Sequence, residues 1–272
     1  MPQIADVRDY WNKNPLFSHE LPDVGSAAFF QQLHEIKTGD VERYALPYWQ
    51  FDAYAGKRVL DIGCGPGWIT VQYARHGARL DSVDLTPRAV ELTKAHLAHH
   101  GLAASVQVGN AEELPFPDTT FDLVVSSGVL HHTPDTQRAF TECFRVLKPG
   151  GKAKITLYRK GLLHSPVIFG ATRLAMRALG VKHPGADLSR DATDVDDFIR
   201  QYDGADNPIG IAYSDSEWRR LLEAAGFIYL RHEVHFFPRR FVPASAMIPG
   251  FVHRLLDRHF GTMVYFDLQK AK

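Results

Sequence analysis

Between Lys57 and Tyr158, short apolar runs alternate with stretches of helical spacing. No other feature of the chain narrows its possible folds as far. Residues 59–62, 80–85, 105–108, 121–126 and 152–158 read as strands. Residues 68–76, 87–97 and 134–147 read as helices, the second with Pro87 in its first turn. Strands that alternate with helices pair in parallel through right-handed crossovers, so the pattern predicts an α/β fold with a doubly wound sheet.

After Tyr158 the rhythm breaks. Residues 160–212 hold the helical run SPVIFGATRLAMRALG and a polar stretch ending in DDFIRQYDGADNPIG. In SDSEWRRLLEAAGF, Ser214 or Ser216 can cap a helix and Gly226 can end it. Residues 227–237 and 262–268 read as two further strands, separated by the helical PASAMIPGFVHRLLDRHF. The expected organisation is a helical lead-in and cap over 1–52, a ligand-binding α/β core over 53–159 and a lid insertion over 160–212. Residues 213–272 would complete the core around a helical insertion at about 241–261.

The bulk numbers exclude several classes. The 272 residues are 45% hydrophobic, enough for one large core. Lys+Arg and Asp+Glu both total 31, so the chain lacks the overall basic balance of a nucleic-acid binder. No uncharged apolar run approaches the roughly 20 residues that span a bilayer. The N-terminal stretch MPQIADVRDYWNKNPLF carries no secretory pattern. The two cysteines, Cys64 and Cys143, have no metal-ligand spacing, so no metal site is expected. These features suit a cytoplasmic protein, monomeric or homodimeric, with a small-molecule ligand.

The loop VLDIGCGPGW points to that ligand. Asp61 ends the first strand, and Gly63, Gly65 and Gly67 follow at alternate positions. Such a loop at the carboxyl end of a parallel strand brings bare backbone to a ligand. Its spacing is G-x-G-x-G, not the G-x-G-x-x-G of dinucleotide binders, which counts against a nicotinamide oxidoreductase. Asp84 ends the second strand, where an acid can accept hydrogen bonds from a ribose diol. Asn110, Ala111 and Glu112 follow the third strand, within reach of an adenine edge. Small residues at 126–128 end the fourth strand and leave space.

These stretches, together with VDLTPRAVELTKA, GNAEELPFPDTTFDLVVSSGVLHHTPD and RVLKPGGKAKITLY, resemble the class I S-adenosylmethionine-dependent methyltransferases. The pattern is nearest to the group that includes ubiquinone- and menaquinone-biosynthesis methyltransferases, and it covers roughly residues 57–158. The resemblance implies a Rossmann-like seven-stranded sheet with an antiparallel last strand, and S-adenosyl-L-methionine as cofactor. It sets Asp61, Gly63 and Gly65 along the methionine portion, with Gly67 shaping the turn. Asp84 would hold the ribose hydroxyls and Leu85 would pack on the adenine. Ala111 and Glu112 would flank the adenine beside Asn110, where the family often has Asp. Ser127 would touch the cofactor through its backbone. Arg43 stands where such enzymes place an arginine for the methionine carboxylate; the competing reading is a solvated helix face.

Methyl transfer from a sulfonium is an in-line displacement, so the protein mainly supplies alignment. O- or N-methylation of a small molecule is the expected chemistry, with non-catalytic S-adenosylmethionine binding as the alternative. For a hydroxyl acceptor, His131 and His132 are the candidate general bases. Their competing role is packing, with His132 as a helix cap; His164, Tyr158, Tyr202 and Tyr213 are further candidates. Tyr10 and Trp11 belong either to a lid or to a hydrophobic dock. Phe169, Arg173, Phe198, Tyr202, Phe251 and Phe260 either wall an acceptor pocket or form cores of the insertions.

Overall fold

A computed structural model describes residues 2–161, 165–179, 194–204, 206–237 and 247–272. Before the sheet come α1 (Ile4–Lys13), α2 (Ala27–Ile36), a π-helical turn at Lys37–Val41 and α3 (Leu46–Trp49). Continuous apolar runs then build the centre of the sheet. In β1 (Arg58–Ile62), Val59 and Leu60 are fully buried. β2 (Arg79–Asp84) and β3 (Ser105–Val108) lie on one side of it, and β4 (Phe121–Ser127) on the other. Phe121, Leu123, Val124 and Val125 of β4 are also fully buried, as expected of a parallel strand covered on both faces. β5 (Leu147–Tyr158) follows in parallel. β6 (Ile228–His235) and β7 (Met263–Gln269) complete the sheet, and β7 runs antiparallel to both β5 and β6. The order is β3-β2-β1-β4-β5-β7-β6, the expected seven-stranded sheet with an antiparallel last strand. Chain order reverses between β1 and β4, which opens a crevice at the carboxyl ends of these strands.

Helices α4 (Trp68–Arg75), α5 (Pro87–His99), α6 (Thr136–Val146) and α9 (Asp215–Ala224) join the strands. Their starts follow side-chain capping. The Thr86 hydroxyl accepts from the Ala89 amide, and Ser214 and Glu217 form a reciprocal capping box. Two of the boundaries that differ from expectation have a visible cause. Helix α6 begins at Thr136 rather than Pro134, because the Asp135 carboxylate caps it through the Arg138 amide. Strand β5 begins at Leu147 and absorbs the LKPGG stretch as a register shift between Phe121–Leu147 and Leu123–Lys152.

The lead-in shares the sheet's core. Phe29, Phe30, Leu33, Tyr48 and Trp49 pack in one cluster with Val59, Leu123, Val125 and Tyr265. The Tyr48 hydroxyl donates to the Phe266 carbonyl at 2.6 Å. The Lys154 ammonium, fully buried, donates to the Asp267 carboxylate at 2.7 Å and to the Tyr48 carbonyl at 2.6 Å. Desolvating such a pair offsets most of its attraction, so it acts mainly to hold α3 in place over β5 and β7.

After β5 come α7 (Pro166–Leu179) and α8 (Val195–Arg200), and α10 (Gly250–Phe260) packs on β6. Residues 162–164, 180–193 and 238–246 of the expected insertions, His164 included, lie outside the described residues, as do the side chains of Arg173 and Tyr202.

Candidate functional site

The loop between β1 and α4 uses its three glycines for three different reasons. A Cβ on Gly63 would lie 2.4 Å from Val129, so glycine is needed there for close packing. Gly67, in the left-handed region, caps α4, and a Cβ would meet the Thr93 backbone at 3.0 Å. Gly65, also left-handed at φ +51°, has nothing within 4 Å of where a Cβ would stand. Its bare face opens into a cavity of about 140 Å³ at the crevice between β1 and β4.

Asp61, Gly63, Gly65 and Asp84 all line that cavity. So do Leu85, Asn110, Ala111 and Ser127. Asp84 also organises the loop: its Oδ2 accepts from the Gly65 amide at 3.0 Å, and its Oδ1 accepts from the Thr86 amide at 2.9 Å. Asp61 accepts from the Thr70 hydroxyl at 2.6 Å. Burial pushes the Asp61 carboxyl up to about 7, against the hydrogen bond from Thr70 and with a further push from Asp84. Burial likewise raises Asp84, opposed by the bonds from Thr86 and Gly65.

Three expected residues do not line the cavity. Gly67 faces Thr93, as its capping role requires. Glu112 is turned away by Asn110, whose Oδ1 accepts the Glu112 amide at 3.0 Å. Glu112 then accepts from the Asp135 amide at 2.7 Å, at the start of α6. Arg43 is exposed, its guanidinium over the Tyr44 ring at 5.6 Å. The π-helical turn ends before it and sends it toward solvent.

The cation that reaches the cavity from the lead-in is Lys37. It is 7% exposed, 3.4 Å from Glu42 and over the Trp68 ring. Glu42 is itself buried and also accepts from the Trp49 indole at 3.0 Å and the Tyr265 hydroxyl at 3.2 Å. The sequence carries a signal for Lys37: it lies four residues after Leu33 and seven after Phe30, on the buried stripe of α2. A lysine there, next to a short reach of helix, marks an inward-facing charge.

The histidine pair separates. His131 is fully buried away from the cavity, with its ring 4.0 Å from that of Tyr158, and neither ring nitrogen has a hydrogen-bond partner. Burial and neighbouring His132 hold it well below the usual imidazole range. It therefore stays neutral and does not face the cavity as a base. His132 does line the cavity, but Nδ1 lies 2.5 Å from the Ile209 carbonyl and Nε2 lies 3.3 Å from Asp203. Both nitrogens thus face oxygens of residues 203 and 209. His132 is also not the cap of α6, which is Asp135. Instead, the pair fastens residues 203–211 to the end of β4, helped by the Ile211 amide donating to the His131 carbonyl.

A second cavity, of about 110 Å³, adjoins the first. The two share Trp11, Pro15, Leu16, Lys37, Ser127 and Gly128. Its own walls are Phe17, Val41, Phe236 and Met263, with Glu20, Glu42, Tyr158 and Asp203 among its polar groups. None of Phe169, Phe198, Phe251 and Phe260 lines either cavity. Phe169 and Phe198 pack on each other, and Phe251 is exposed on α10. The aromatic walls come from the lead-in and from the region of β6 and β7, which the strand pattern did not reveal.

Residues 60–155 match a family described as a methyltransferase domain. A ubiquinone biosynthesis O-methyltransferase of Xanthomonas oryzae is 36% identical over 151 residues, which is 54% of this chain and 58% of that protein. The chain thus spans a little over half the length of the curated relatives it matches. Two solved structures share the fold. The [4+2]-cyclase SpnF gives a TM-score of 0.59 at 20% identity, over 99% of this chain and 97% of its own. An S-adenosylmethionine-dependent methyltransferase from Mesorhizobium loti gives 0.55 at 20% identity, over 82% and 96%. The methyltransferase domain implies S-adenosyl-L-methionine as the cofactor. Sheet order, glycine-loop placement and the match over residues 60–155 together give this chain a methyltransferase domain similar to those of the class I S-adenosylmethionine-dependent methyltransferases.

Proposed function

We propose that the protein transfers a methyl group from S-adenosylmethionine to a small-molecule acceptor. The observation that carries this reading is the junction of two cavities across Ser127 and Gly128, one with the features of a nucleoside site and one with mixed apolar and polar walls. When bound, the cofactor supplies a methyl group already activated on a positively charged sulfur.

The residues of the first cavity fit that group. The open face of Gly65 gives a cradle that a side chain would fill. Asp84 would accept from the ribose hydroxyls, since a carboxylate has lone pairs beyond those used by Gly65 and Thr86. Leu85 and Ala111 would pack against the adenine, with Asn110 at its edge. Lys37 would meet the methionine carboxylate, and Asp61 would face the cationic portion. Ser127 would contribute backbone at the boundary with the second cavity.

The rest of the work is alignment and exclusion of water. The lead-in covers the strand ends through Trp11, Pro15 and Leu16, and residues 203–211 close beside it through His132. With this arrangement His132 positions the cover. The test is incubation of the purified protein with methyl-labelled S-adenosylmethionine and small-molecule extracts. Transfer of label to a low-mass product supports catalysis. Tight binding with no transfer to any extract would favour the non-catalytic alternative.

A further inference from the structure

We propose that the second cavity accepts a small aliphatic amine carried on an apolar body, and that Asp203 is the group that holds its nitrogen. This rests on reading that cavity as the acceptor site. The cavity itself carries the inference, because it opens onto the cofactor cavity across Ser127 and Gly128.

Its charge and hydrogen-bonding capacity favour a cation over an anion. Among the described residues that line it, Glu42 and Lys37 face each other at 3.4 Å, and Asp203 is a carboxylate outside that pair. Asp203 uses Oδ2 toward the Tyr158 hydroxyl and His132. A carboxylate so held keeps acceptor capacity on its other oxygen. Trp11 lines both cavities, and an aromatic ring beside an ammonium or a developing positive charge stabilises it.

A phenol already present near Asp203 reports on the local field. Tyr10 donates to the Asp203 carbonyl at 2.5 Å, and burial, then Asp203 and Asp206, push its ionisation up to about 12. The carboxylates near it would oppose a phenolate acceptor, with Arg200 acting the other way. A neutral amine already carries its nucleophilic lone pair.

The step balances. An ammonium bound at Asp203 first gives up one proton by way of that carboxylate to water. The nitrogen lone pair then forms the N–CH3 bond as the S–CH3 bond breaks, its electron pair leaving on sulfur. Positive charge passes from sulfur to nitrogen, where Asp203 balances it, and the methylated ammonium later sheds a proton to water.

The experiment compares phenethylamine, phenethyl alcohol and phenylacetate, which share one apolar body. Each is titrated into the full chain saturated with S-adenosylhomocysteine, and binding is read by saturation-transfer NMR and calorimetry. The expected order is amine, then alcohol, then acid, with the amine at least about tenfold tighter than the acid. Asp203→Asn should bring the amine down to the alcohol, whereas Tyr158→Phe, which keeps the carboxylate, should preserve the order. The inference is overturned if the alcohol or acid binds as tightly as the amine. It is equally overturned if the amine fails to bind at about 10 mM, or if its advantage survives in folded Asp203→Asn. Should that variant not fold, the ranking in the unaltered protein decides. S-adenosylhomocysteine is titrated first: its failure to bind sinks the methyltransferase reading, while its binding without an amine preference sinks this inference alone.

Discussion

The walls of the two cavities are tied together over very different distances along the chain. In the first, the Gly65 amide reaches Asp84 across 19 residues, and the Thr93 hydroxyl reaches the Gly65 carbonyl across 28. In the second, the Tyr10 hydroxyl reaches the Asp203 carbonyl across 193 residues. A site built from one strand–loop–helix turn and the next strand end is set by local backbone chemistry. A site closed by docking distant segments depends on the whole core forming first. Cofactor affinity should therefore respond most to single changes in residues 61–84 and less to a lead-in residue such as Lys37, while the acceptor side should respond to changes in the lead-in and in residues 203–211.

The largest effect that would test this contrast is at Gly65. Gly65→Val places a branched side chain in the cradle at a left-handed backbone position. Calorimetry should show S-adenosylhomocysteine affinity falling at least about a hundredfold, roughly 2.7 kcal/mol, with the circular dichroism of the sheet retained. Normal binding by this variant would reduce the loop to a turn.

Asp84→Ala should follow, at about 1–3 kcal/mol of lost affinity, from removal of charged acceptors that serve both the ligand and the Gly65 amide. An unchanged dissociation constant in the folded variant would take Asp84 out of the site.

The lead-in offers a paired test. Lys37→Met should weaken binding by about tenfold, roughly 1.4 kcal/mol, whereas Arg43→Ala should leave it unchanged. Because Lys37 faces buried Glu42, the single change also leaves a buried carboxylate without its ammonium and lowers stability. Adding Glu42→Gln should restore much of the melting temperature without restoring affinity, which separates the two roles. Loss of affinity on Arg43→Ala instead would reverse the assignment.

The smallest effect concerns pH. The Asp61 carboxyl, pushed up to about 7 by burial, binds more protons in the folded than in the unfolded chain between about pH 4 and 7. The empty protein therefore loses stability as pH rises through that window. A cationic ligand favours ionised Asp61, so affinity for S-adenosylmethionine relative to neutral-sulfur S-adenosylhomocysteine should rise severalfold between about pH 6 and 8. Asp61→Asn should flatten that ratio; a ratio that falls with pH would remove Asp61 from the cationic portion.

What could be read from the sequence follows the same division. The alternation over 57–158 and the run VLDIGCGPGW identify the sheet, its switch point and most of the wall of the first cavity, because strand burial and glycine spacing are local signals. Spacing alone does not show the direction of Glu112, because the turn made by Asn110 sets it. Arg43 takes the exposed position that the sequence leaves open as its second reading, and the π-helical turn at residues 37–41 shifts the helix phase in a way that distance along the chain cannot register. His132 has a role that emerges only when Ile209 and Asp203 arrive beside it. Phe17, Phe236 and Met263 meet around one cavity from opposite ends of the sequence, so no periodicity announces them.

Calorimetric titration of the unaltered protein with S-adenosylhomocysteine, and separately with NAD, tests the central claim most directly. The account predicts one S-adenosylhomocysteine site per chain, abolished by Gly65→Val, and no heat from NAD beyond dilution. Saturable binding of NAD, or no binding of S-adenosylhomocysteine by the folded protein, would contradict it.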